Sequence, residues 1–112
     1  MEQEQSLESI KAGLKNMQSE CPELVRNFGA LFAFATKNGA VSAKHKELIC
    51  LGIALAQRCE SCIAMHVEKC AAALCSREEM LEAAGVAVLM QGGPAYMHIP
   101  FLIKIMDALG IS

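Results

Sequence analysis

Glu47-Leu-Ile-Cys50-Leu-Gly-Ile-Ala-Leu-Ala-Gln-Arg-Cys59-Glu-Ser-Cys62-Ile-Ala-Met-His66 is the stretch on which the reading of this chain turns. From Leu48 to Ala56 it is apolar on every side of a helix, which predicts a central, buried helix. Ser42 is the expected cap of that helix, which should run to about Arg58. A further helix should begin around Cys59 and reach about Cys75.

Working outward, Leu7, Ile10, Leu14 and Met17 make one helical stripe, closed by Cys21-Pro22. Pro22 suits the first position of a second helix, whose face carries Leu24, Val25, Phe28, Leu31, Phe32 and Ala35. That helix should stop near Lys37-Asn38-Gly39. On the far side, Ser76-Arg77-Glu78-Glu79 has the pattern of a capping box opening a fifth helix, which ends at Gly92-Gly93. Pro94 starts the sixth, with Ile99, Leu102, Ile103, Met106 and Leu109 on its buried side. Pro100 inside that pattern predicts a kink or a late start.

The composition agrees with this all-α reading. Seventeen Ala, twelve Leu and seven Met stand against one Thr and five Val, so residues that favour strands are scarce. The 112 residues allow one domain, taken here as residues 1–112, of about six helices. Apolar residues fill 54% of positions, more than one such domain needs for its own core. An oligomer in which helical faces meet across subunits is therefore expected.

Charge and composition also narrow the partners. A formal charge of −2 with four Phe, one Tyr and no Trp gives little reason to expect nucleic acid. The opening Met1-Glu2-Gln3-Glu4-Gln5 lacks the basic start and apolar run of an export signal. Ala83 to Ile103 carries no formal charge and has about the length of a membrane span. Gln91-Gly92-Gly93-Pro94 interrupts it, so two buried helices are expected there instead. Despite six cysteines, the expected compartment is the reducing cytoplasm, with Cys21, Cys50 and Cys75 serving as packing.

The chemistry lies on the fourth helix. At about 100° per residue, Cys59, Cys62, His66 and Cys70 fall within roughly an 80° arc. Cys62 and His66, four apart, are neighbours on that face. Cys59 and Cys62 occupy the first turn, where free N–H groups and the helix dipole stabilise a thiolate. A Cys-x-x-Cys at a helix start also closes a disulfide readily. These features describe a redox dithiol. Two helices joined by a tight turn at Arg58-Cys59 would bring Glu47 beside the middle of the fourth, facing His66 or a water as proton acceptor.

Zinc binding is the competing reading. Cys59, Cys62 and His66 could ligate an ion, with a fourth ligand from Glu47 or solvent. Cys70 lies about 16 Å along the helix from Cys59, too far to share that ion. His45 is read as solvated, His98 as a hydrogen-bonded core histidine, and Cys70 as core.

Glu47, eleven residues, Cys59-x-x-Cys62, three residues, His66 resembles the signature of the carboxymuconolactone decarboxylase family, in its AhpD-like alkylhydroperoxidase branch. Gly92-Gly93-Pro94-Ala95 resembles the family's small-residue turn before its last helix, and the likeness runs over roughly residues 24–109. It implies an all-α fold, trimers or hexamers, no bound cofactor, and an external dithiol reductant such as a lipoyl or thioredoxin-type donor. By resemblance, Cys62 is the thiol that attacks a hydroperoxide, Cys59 the resolving thiol, and Glu47 with His66 the proton relay. Disulfide substrates are a further possibility of the same chemistry. The best-known peroxidases carry a second His where this chain has Ser61, which passes a proton but is a poor base. The other readings are a metal-binding or redox-sensing protein without catalysis, a non-redox scaffold, and a carboxymuconolactone decarboxylase-like enzyme. The decarboxylase branch lacks the paired cysteines.

Overall fold

Local signals set the helix ends. The computed structural model describes residues 6–112, so the Met1–Gln5 stretch read above as lacking an export signal lies outside the described residues. Helices α1 (Leu7–Glu20), α2 (Pro22–Thr36), α3 (Ala43–Ala56), α4 (Glu60–Ala72) and α5 (Arg77–Gln91) are followed by a single turn, α6 (Gly93–Tyr96), and by α7 (Ile99–Ala108). The Ser6 hydroxyl caps α1 by accepting the Ser9 N–H, and Ser42 caps α3 by accepting the His45 N–H. At α5 the Ser76 hydroxyl accepts the Glu79 N–H while the Glu79 carboxylate accepts the Ser76 N–H, the reciprocal box that the sequence predicts. Such caps satisfy donors that a helix cannot pair internally and contribute about 0.5–2 kcal/mol each.

The segment from Pro94 divides into α6 and a later helix. Pro100 lies in the first turn of α7, where its missing N–H leaves no hydrogen bond unmade, so the helix starts late and no kink is required. Gly92, at φ +80°, makes the reversal after α5 in a conformation that favours glycine. Among the described residues no helix is long and apolar enough to cross a membrane.

The core sits among α3, α4, α5 and α7. Leu51, Leu55, Ile63, Val67, Met80, Leu102, Ile105 and Met106 are fully buried. Each such side chain removes enough apolar surface from water to stabilise the fold by about 1.5–3 kcal/mol. Arg77 ties the start of α5 to the C-terminal end, bonding Asp107 Oδ1 at 2.9 Å and the Ile111 carbonyl at 2.7 Å.

Two expectations about burial need correction. α3 is not covered on every side: Leu51, Ala54 and Leu55 are buried, whereas Ile49 and Ile53 are each 53% exposed. α2 contributes no buried residue at all. Of its predicted face, Val25 and Phe32 are half-buried and Leu24, Phe28, Leu31 and Ala35 are exposed. The physical reason is the same in both helices. Their apolar residues exceed what the neighbouring helices of one chain can cover, so the surplus faces outward.

Candidate active site

The α3–α4 hairpin builds the site. After α3, Arg58 takes a left-handed conformation (φ 56°), and the Cys59 N–H returns to the Ala54 carbonyl at 3.1 Å. This tight reversal sends α4 back along α3. Cys59 therefore stands at the N-cap of α4, where its sulfur accepts the Cys62 N–H at 3.2 Å. Cys59 and Cys62 are joined as a disulfide, with their Cα atoms 5.2 Å apart. Both are half-buried, as is Ser61 between them. In this oxidised form neither sulfur has a thiolate to offer, so a zinc site built on Cys59 and Cys62 requires their reduction.

Glu47 and His66 meet across the hairpin. Glu47 is 6% exposed, and its Oε1 lies 3.3 Å from His66 Nδ1. Among the described residues Glu47 is the one buried charged side chain, and burial of a carboxylate is tolerated when a partner answers it. The His66 ring stacks on Phe32 at 5.7 Å between centroids, with 22° between the ring planes. Lys69 Nζ lies 5.3 Å from the centre of the same Phe32 ring. Phe32 thus holds one face of the imidazole from α2. The Cys70 thiol donates to the Glu47 carbonyl at 3.3 Å, pinning the two helices together beside the pair.

The remaining cysteines divide by their surroundings. Burial pushes the Cys70 thiol far above its ordinary range, with Cys75 adding to the effect. Burial likewise raises Cys75, whose sulfur points to the Lys44 carbonyl at 3.7 Å. Both are inert core thiols, as expected for Cys70 and for Cys75. Cys21 stands at the N-cap position of α2 without a side-chain capping bond, and its thiol donates to the Met17 carbonyl at 3.3 Å. His45 is exposed and bonds Ser42 Oγ at 3.0 Å, as its solvated reading predicts. His98 makes the expected hydrogen bond, with Nδ1 2.8 Å from the Pro94 carbonyl, but it is half-buried and not a core residue, because it sits at the junction between α6 and α7.

Cys50 departs from its packing assignment. It is half-buried, and its sulfur, a Glu47 oxygen and a His66 nitrogen all lie within 4.8 Å of one another. Burial first, and the Glu47 charge second, raise its pKa. The signal available in the sequence was its position three residues after Glu47, which puts both on one face of α3. In the sequence Phe32 is one more apolar residue on the face of α2; its stacking on the His66 imidazole comes from the placement of α2 and has no sequence signature.

Known proteins share this arrangement of helices. A carboxymuconolactone decarboxylase family protein of Legionella pneumophila has the same fold with a TM-score of 0.81 and 36% identity, over 91% of each chain. A family protein of Thermotoga maritima superposes with a TM-score of 0.76 at 24% identity, over 94% of this chain and 90% of that one. An uncharacterised protein of the cox locus of Paracoccus denitrificans is 30% identical over 82 residues, covering 73% of this chain and 74% of its own length. The family model for carboxymuconolactone decarboxylases matches residues 22–99, which take in α2 to α6 and with them Glu47, the Cys59–Cys62 pair and His66. This chain belongs to the carboxymuconolactone decarboxylase family.

Proposed function

We propose that the chain is a dithiol oxidoreductase of the AhpD-like type, reducing an alkyl hydroperoxide or a disulfide through Cys59 and Cys62. The observation that carries this reading is the Cys59–Cys62 bridge at the N-terminus of α4, in the same hairpin that pairs buried Glu47 with His66. In the reduced protein the Cys62 thiolate attacks the terminal oxygen of the hydroperoxide. The O–O bond breaks, an alcohol leaves with a proton passed from His66, and Cys62 becomes a sulfenic acid. The Cys59 thiol then attacks that sulfur, water departs, and the disulfide forms. An external dithiol of the lipoyl or thioredoxin type reduces it again. With Ser61 poor as a base, proton handling falls on Glu47 and His66.

The working unit in this proposal is a homo-oligomer, a trimer or hexamer, in the reducing cytoplasm. The exposed Leu24, Phe28, Leu31 and Phe34 on α2 support the association of subunits. So does an apolar groove of about 430 Å³ between α3 and α5, bordered by Ile49, Ile53, Val86 and Met90.

Mass spectrometry after a brief pulse of cumene hydroperoxide on pre-reduced protein tests the reading. Peptides holding residues 59 and 62 should become linked, Cys62→Ser should abolish turnover, and Cys59→Ser should trap a sulfenic acid at Cys62. Full turnover by Cys62→Ser, or two thiols that persist through the pulse, would sink it.

A further inference from the structure

Cys50 takes no part in the dithiol scheme, yet its sulfur faces both members of the relay. Glu47 and Cys50 come from one face of α3 and His66 from α4, so the hairpin delivers a carboxylate, a thiol and an imidazole to one point. Tetrahedral zinc holds a nitrogen and an oxygen at about 2.0–2.1 Å each, which sets them about 3.3 Å apart, and a sulfur stands about 3.6 Å from either. Glu47 Oε1 and His66 Nδ1 are already 3.3 Å apart. The Cys50 sulfur lies within 4.8 Å of a Glu47 carboxylate oxygen and of a His66 ring nitrogen, so side-chain adjustment of about 1.2 Å brings it to ligand distance. The mixed donors suit a borderline-soft divalent ion, and three protein ligands leave a fourth position open to water, unlike the closed four-ligand structural sites. The ligands are also held in place: Phe32 backs the His66 ring, and Glu47 is anchored next to the Cys70 thiol.

We propose that Glu47, Cys50 and His66 form a three-ligand site for a zinc-class divalent ion, and that filling it switches off the proton relay. The bound ion occupies the imidazole nitrogen and carboxylate oxygen that the relay uses, and the Cys50 thiol gives up its proton to solvent. Neither Cys59 nor Cys62 is a ligand, so the oxidised protein holds the site as well as the reduced one. The switch rests on the dithiol reading; the binding does not.

Oxidised full-length protein, with Cys59 and Cys62 closed, is titrated with zinc against a chromophoric chelator and with cobalt. One ion per chain is expected, and cobalt should give thiolate-to-metal charge-transfer absorption. Cys50→Ser should weaken zinc binding by at least about ten-fold and erase that absorption, with Cys50→Ala as the second variant should the first misfold. Cys21→Ser should change neither. Absence of saturable uptake by the oxidised protein, or wild-type zinc affinity retained in both Cys50 variants, overturns the site. Zinc should also slow single-turnover oxidation of the pre-reduced protein by cumene hydroperoxide, at least about ten-fold less effectively in Cys50→Ser, each chain referred to its own metal-free rate. Equal slowing of both assigns inhibition to Cys59 and Cys62 and overturns the switch. Zinc uptake by oxidised protein whose reduced dithiol ignores hydroperoxide leaves the site standing and removes the dithiol function.

Discussion

The α3–α4 hairpin and helix α2 are both apolar, and the chain treats them in opposite ways. In the hairpin Leu51, Leu55, Ile63 and Val67 are sealed from water, and the one buried charge, among the described residues, is answered by a histidine. On α2, with Phe34 at 67% exposure and Leu31 at 59%, apolar side chains stand in solvent and only Val25, Phe32 and Thr36 turn inward along the helix after Cys21. Apolar patterning therefore says that a face wants cover, and it is silent on whether the cover comes from the same chain. The hairpin is an internal scaffold that holds chemistry in place. α2 supplies one ring to that chemistry and offers the rest of its surface outward.

Substitutions in the two regions should behave accordingly. Leu55→Ala, deep in the hairpin, should cost about 2–5 kcal/mol of unfolding free energy by urea titration, because the side chain is fully buried and leaves a cavity. A loss below about 0.5 kcal/mol, the scale of a surface substitution, would make the hairpin no more a core than α2. Glu47→Ala should lower the rate of dithiol oxidation by about 10²–10⁴-fold under stopped-flow conditions, the scale of a lost proton-transfer group. A rate unchanged from wild type would detach the Glu47–His66 pair from the chemistry. Ser76→Ala breaks one half of the capping box and should cost about 1 kcal/mol. Leu31→Ser on α2 should shift the unfolding free energy of the isolated subunit by less than about 0.5 kcal/mol, while sedimentation shows a smaller assembly. If it destabilised the subunit as Leu55→Ala does, the contrast between the regions would fail.

The smallest expected effect is electrostatic. The Ser76 backbone N–H foremost, and Lys44 after it, hold the Glu79 carboxyl below the usual range. A carboxyl whose folded-state pKa is depressed adds stability above its unfolded value, and that stability is lost as pH falls through the folded value. Acid should therefore lower Tm slightly more steeply in the wild type than in Glu79→Gln, over the window below the ordinary Glu range. Solvent reaches this side chain and screens the pair, so the difference should be slight and should shrink with added salt.

The helix ends and the dithiol face are legible in the sequence. Ser42, Ser76 with Glu79, and Gly92 mark helix ends through bonds made within a few residues, and those bonds are local chemistry that sequence expresses directly. The arc containing Cys59, Cys62, His66 and Cys70 follows from helix geometry alone. Cys50 was harder to read. A cysteine in an apolar helix looks the same whether it packs or lines a site, and its meeting with His66 spans sixteen positions of sequence. Phe32 is a similar case, since its stacking depends on how α2 leans against the hairpin.

By itself, then, the sequence determined an all-helical chain, the ends of most helices and the spacing of a dithiol from its imidazole, because capping, periodicity and turn chemistry act over a few residues. The tight turn already predicts Glu47 beside the middle of α4; tertiary structure alone decided that its carboxylate meets His66 directly, that Cys50 joins them, and that α2 keeps its apolar side in water. Those outcomes depend on the rotation and docking of whole helices against one another, which no local run of residues specifies.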